Sequence, residues 1–186
     1  MKTIVLVLAF ALLIPGMSWS SVLVSYDPPS QVKYAGNTFT VDIMAHIPSD
    51  EPVLSWGLDL SFDDTILALI GAPVIGPQWT AGPDPVVTGG MVDGLTGFAF
   101  PDPVTGDDIL LATLSFKALA PGMSALMAGY DDPDFEGFWP EDGEPYLVQF
   151  VQGSSVTVME AIPEPSSLLL MAAGLAGTWV FGRKRT

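Results

Sequence analysis

The chain has 186 residues, no cysteine, one histidine, and 21 acidic side chains against 6 basic ones, giving a formal net charge of −15. That balance repels nucleic acid and anionic lipid. The missing thiols exclude disulfide staples, cysteine nucleophiles and cysteine metal sites.

The first residues combine a basic start at Lys2 with an apolar run over residues 4–14, then Pro15, Gly16 and the small-residue stretch ending Ser18, Trp19, Ser20. This is the layout of a secretory signal peptide. The run is too short for a permanent span, which takes about 20 apolar residues. Residues 1–20 are therefore expected to be removed on export. All acidic residues except Glu164 then fall between 21 and 160, where Lys33 and Lys117 are the only basic ones. That length suits a single domain.

Between those limits, Gly and Pro punctuate short apolar runs and no helical period is sustained, which predicts an all-β domain, a single β-sandwich of jelly-roll type. Strands are expected at 22–25, at Thr38–Ile47, at 56–62, at Leu67–Leu69, and then at 97–100, 110–118, 124–128, 146–151 and 155–159. In Thr38–Ile47 the residues Phe39, Val41, Ile43, Ala45 and Ile47 should face the core, with Thr40, Asp42, Met44 and His46 facing out. The run 56–62 should likewise bury one face and wet the other. In 110–118 the inward set is Leu110, Ala112, Leu114, Phe116 and Ala118.

The chemistry-bearing residues give no catalytic set, so a non-enzymatic domain is expected. Asp63 with Asp64, Asp107 with Asp108 and Asp131 with Asp132 are adjacent pairs. A glycosidase needs two carboxylates facing each other about 5–10 Å apart, and neighbours on a turn point apart. His46 has no second histidine or cysteine with which to hold zinc. The best cation candidate is the acidic loop Asp131, Asp132, Asp134 and Glu136, followed by Glu141, Asp142 and Glu144. It offers hard oxygens for calcium but lacks EF-hand spacing. Trp79 and Trp139 lie among Gly and Pro, as do Phe135 and Phe138, and are the candidate ligand-contacting aromatics. Trp56 belongs to a strand and to the core.

At the C-terminus, Pro163-Glu164-Pro165 precedes the short apolar stretch 168–181, and Arg183, Lys184 and Arg185 follow. Rigid prolines, a short apolar helix and a cluster that resists translocation stand in that order. Residues 161–186 resemble the PEP-CTERM sorting signal. The resemblance implies transient anchoring in the inner membrane by that helix, cutting near the Pro-Glu-Pro triplet by an exosortase-type membrane protease, and delivery to the cell surface, outer envelope or extracellular matrix. In that family the signal accompanies exopolysaccharide and biofilm formation. A plain single-pass tail anchor is the alternative reading.

Four stretches of residues 21–160 are similar to the cohesin domain: Gly36-Asn37-Thr38-Phe39-Thr40-Val41-Asp42-Ile43, Leu58-Asp59-Leu60-Ser61-Phe62-Asp63-Asp64-Thr65-Ile66-Leu67, Leu111-Ala112-Thr113-Leu114-Ser115-Phe116-Lys117-Ala118 before Pro121-Gly122, and Gly153-Ser154-Ser155-Val156-Thr157-Val158. The resemblance implies a binding or adhesion domain whose partner is a dockerin-like protein. Relatives of this fold also serve as carbohydrate-binding modules, so a polysaccharide ligand stays open, and a secreted hydrolase is the remaining alternative.

Overall fold

A computed structural model of the chain describes residues 21–132, 135–151 and 153–161. The expected signal peptide, and the sorting segment from residue 162 onward, lie outside the described residues. What is described is fourteen β-strands in two sheets, β1 to β14 in chain order.

The first sheet contains β1 (Val22–Asp27), β3 (Thr38–Ile47), β5 (Leu67–Leu69), β6 (Val74–Ile75), β10 (Gly106–Ala118) and β13 (Val148–Phe150), in the order β13-β1-β3-β10-β5 with β6 also beside β10. Alternation in β3 runs as the sequence predicts: Phe39, Val41, Ile43, Ala45 and Ile47 are buried and the residues between them are not. β10 departs from its expected pattern. The ladder with β3 steps from Leu110–Met44 to Ala112–Ile43, so Leu111 is an extra residue on β10. A bulge of this kind shifts the face that each side chain takes. Leu111 and Ala112 are both fully buried, while Leu110, expected in the core, is only half-buried.

The second sheet contains β2 (Ser30–Tyr34), β4 (Ser55–Ser61), β7 (Thr80–Ala81), β8 (Val86–Thr88), β9 (Met91–Phe98), β11 (Gly122–Gly129), β12 (Gly137–Trp139) and β14 (Ser154–Met159). Its order is β2-β14-β11-β4-β9-β7, with β8 beside β9 and β12 beside β4. The chain crosses from the first sheet to the second at Pro28-Pro29, where neither residue can donate to a ladder. Inner faces of the two sheets meet over Ile43, Trp56, Leu58, Leu60, Leu114, Phe116 and Leu126, all fully buried. Phe39 stacks on Phe116 and Phe62 meets its edge, with ring centroids 5.8 and 5.2 Å apart. Burying one such ring contributes about 1.5–3 kcal/mol, which replaces the absent disulfides as the source of cohesion.

β4 does not have the wet face expected of it. Gly57 and Asp59 are buried along with Trp56, Leu58 and Leu60. The reason lies in what covers them. β11 pairs with β4 at Asp59–Ser61 and β12 pairs with it at Ser55–Gly57, so the two share one edge end to end. Phe135 and Glu136 cross the outer face: a Cβ on Gly57 would stand 3.1 Å from the Phe135 carbonyl oxygen and 3.2 Å from Glu136 Cα. A side chain there would have to push that backbone away by a few tenths of an ångström.

Candidate functional site

The covered face of β4 brings together carboxylates distant in sequence. Asp59 projects outward from the middle of β4. Opposite it the β4–β9 ladder steps from Leu58–Leu95 to Leu60–Val92, leaving one extra residue on β9. Gly94 takes up the bulge with φ of +76°, a conformation that costs glycine little. Its N–H donates to Asp59 Oδ1 at 2.9 Å, and Asp93 stands beside it. Glu136 arrives from the covering segment, and oxygens of Asp59, Asp93 and Glu136 lie within 4.8 Å of one another.

Burial differs among the three. Asp59 is 4% exposed and Glu136 5%, whereas Asp93 opens to solvent. Glu136 Oε2 accepts the N–H groups of Asp131 and Asp132, at 2.8 and 3.1 Å. Asp59 Oδ2 is buried with no donor. The carboxyl of Asp59 is pushed up to about 6, first by burial and then by Glu136 and Asp131, against the opposing Gly94 N–H. Without a cation the ionised form is the costly one. Its contribution to stability is then present below the unfolded value of 3.8 and lost as pH rises through about 6.

Depressions flank this cluster on the outer face of the second sheet. One, of about 550 Å³, has Asp93, Phe98, Phe135, Trp139 and Val86 in its walls. The other, of about 250 Å³, lies between Asp59, Met91, Met127 and Tyr130. Phe135 is 78% exposed and Met127 60%, and Phe98, Val86 and Tyr130 are also exposed. Exposed apolar and aromatic side chains thus surround the carboxylate cluster.

The residues singled out in the sequence separate on this map. Trp139 lines the larger depression. Trp79 offers no face to a ligand: it is 7% exposed, packs edge-on against Trp56 at 6.1 Å, and its Nε1 donates to the Leu110 carbonyl at 3.1 Å. Phe138 is fully buried. In the acidic loop only Glu136 turns inward among the described residues, Asp131 and Asp132 have exposed side chains, and Asp134 lies outside the described residues. Asp63 serves its own turn, accepting the Thr65 N–H at 2.9 Å. His46 faces outward and pairs with Asp107. Pro163, Glu164, Pro165, Arg183, Lys184 and Arg185 lie outside the described residues. Sequence reasoning missed Asp59 and Asp93, although a glycine within a strand, here Gly94, is a bulge signal.

Residues 161–185 match the family model described as the PEP-CTERM protein-sorting motif. No curated protein matches the chain. Among solved structures the described region superimposes on cohesins. A non-cellulosomal cohesin from the hyperthermophilic archaeon Archaeoglobus fulgidus aligns at a TM-score of 0.56 with 17% identity, over 75% of this chain and 90% of that one. A chain of a type I cohesin–dockerin complex from Clostridium thermocellum aligns at 0.59 with 15% identity, over 79% and 99%. A type II cohesin domain from the cellulosome of Acetivibrio cellulolyticus aligns at 0.55 with 14% identity, over 74% and 94%.

The fold is that of a cohesin. The chain thus joins a cohesin-like sandwich to a PEP-CTERM sorting motif.

Proposed function

We propose that this is an exported, non-catalytic binding protein in three parts: a signal peptide at 1–20, a cohesin-like domain at 21–160, and a sorting signal at 161–186. An exosortase-type protease cuts near Pro163, Glu164 and Pro165 and passes the domain to the cell surface or surrounding matrix. The observation that carries this reading is the conjunction of a sorting motif at 161–185 with a cohesin fold.

The outer face of the second sheet is the surface we assign to binding, with a dockerin-like protein as the class of partner. Solved neighbours include a cohesin–dockerin complex, and the exposed Phe98, Phe135 and Met127 beside shallow depressions suit a protein surface. Polysaccharide recognition has lost one of its two candidate aromatics, since Trp79 is in the core. The test is retention of the exported domain on its native cells. Phe98→Asp and Met127→Asp together, both at exposed positions, should release the domain into the medium while leaving its melting temperature within a few degrees. Unchanged retention would remove this face from the proposal.

A further inference from the structure

The buried carboxylates of Asp59 on β4 and Glu136 on the covering segment, with the exposed Asp93 of β9 beside them, need a positive charge that the protein does not supply. Lys33 and Lys117 are the only basic side chains among the described residues. Lys33 lies on β2 with its ammonium 5.4 Å from the Phe39 ring centre, and Lys117 lies on β10 in the other sheet. His46 pairs with Asp107. Asp59 and Glu136 nevertheless lie close together in near-complete burial, and Asp59 Oδ2 is buried with no donor to meet it. An ionised carboxylate left buried and unpaired is costly, so such groups are paired, protonated or bound to a metal.

We propose that Asp59, Asp93 and Glu136 form a calcium site that fastens Phe135 and Glu136 over β4. All the ligand atoms are hard carboxylate oxygens, with no histidine or thiol to favour zinc or copper. Two oxygens bound to one calcium at 2.3–2.6 Å stand at most about 5 Å apart, a limit these three meet. Calcium takes six to eight oxygens in flexible geometry, and the exposed side at Asp93 gives water access to the remaining positions. Magnesium demands a near-ideal octahedron and fits a three-carboxylate, one-sided arrangement less well.

The Gly94 bulge and the Glu136 backbone contacts would then have a common purpose. Gly94 N–H holds Asp59 Oδ1 and leaves Oδ2 without a donor, while the Asp131 and Asp132 N–H groups hold Glu136 Oε2. Held in this way, the ligands need little reordering on binding. The ion would bridge the sheet to the segment that carries Phe135, and so set the wall of the larger depression.

The test is calorimetric titration of the full chain in detergent with calcium chloride, after treatment with EDTA, repeated with magnesium chloride. One calcium per chain is expected, with a higher melting temperature in calcium than in EDTA. Asp59→Asn and Asp93→Asn should each weaken binding by roughly tenfold or more, whereas Asp142→Asn, in an exposed acidic stretch, should leave it within about twofold. Asp93 is exposed, so its variant remains informative should Asp59→Asn fail to fold. No calcium response in the wild type would overturn the proposal in favour of a proton shared by Asp59 and Glu136. Binding that survives both variants would overturn it in favour of an ion held elsewhere on the acidic surface, and equal or tighter binding of magnesium would overturn the choice of calcium.

Discussion

Tyr26 links the two sheets through a single hydrogen bond: from β1 its hydroxyl accepts the Ala128 N–H on β11. Burial pushes the phenol up to about 12, against that bond, so it stays neutral over the working pH range. Replacing Tyr26 with Phe keeps the ring and removes the acceptor, leaving a buried N–H unpaired. We expect a loss of about 1–3 kcal/mol, read as a lower urea midpoint with an unchanged slope. Asp63 supplies a second test. The Thr65 hydroxyl, followed by the Thr65 N–H, holds its carboxyl below the ordinary value. A lowered carboxylate contributes stability above its unfolded value, near 3.8, that is lost as pH falls through the folded one. Asp63→Asn should therefore show a shallower loss of stability than the wild type between pH 5 and pH 2, measured as urea midpoints across that range.

At the scale of elements, β9 depends on glycine at two places. Gly97 lies against the buried Trp56, and a Cβ there would stand 2.6 Å from Trp56 Nε1. Trp56 is held by Trp79 and cannot yield cheaply. Gly97→Ala should cost about 1–3 kcal/mol by overpacking, visible as a lower thermal midpoint. Legibility in the sequence follows the same physics. β3 was readable to the residue because it is long, central and strictly alternating. β10 was readable as a strand, but its inward set was not, because the bulge at Leu111 depends on pairing with β3. β6, β7 and β12 have two or three residues each, and their pairing partners rather than their own pattern make them strands. The same holds for the site. Glu136 was named as part of a local acidic loop, but its partner Asp59 sits on a run whose alternation assigns it to solvent. Tertiary packing on the outer face of β4, where Phe135 and Glu136 pass against Gly57, is what no local pattern shows.

At the scale of the whole molecule, the chain joins a cohesin-like sandwich to a PEP-CTERM sorting motif at residues 161–185. The cohesin-like sandwich needs no disulfide, since its core joins both sheets, and its acidic surface favours solubility. The C-terminal motif is legible from sequence because its three parts are local and ordered, whereas the face we propose for binding is assembled by tertiary pairing of β4, β9, β11 and β12. Substituting Ala for Pro163 and Pro165 should trap the uncut chain in the membrane fraction, which immunoblotting of separated membranes and medium would show. The most direct measurement is the intact mass of the native protein recovered from its cell envelope, with its C-terminal peptide sequenced. The account predicts a chain that ends near Pro163, Glu164 and Pro165 and lacks residues 1–20. A protein still ending at Thr186 would contradict it and leave a membrane-anchored receptor in its place.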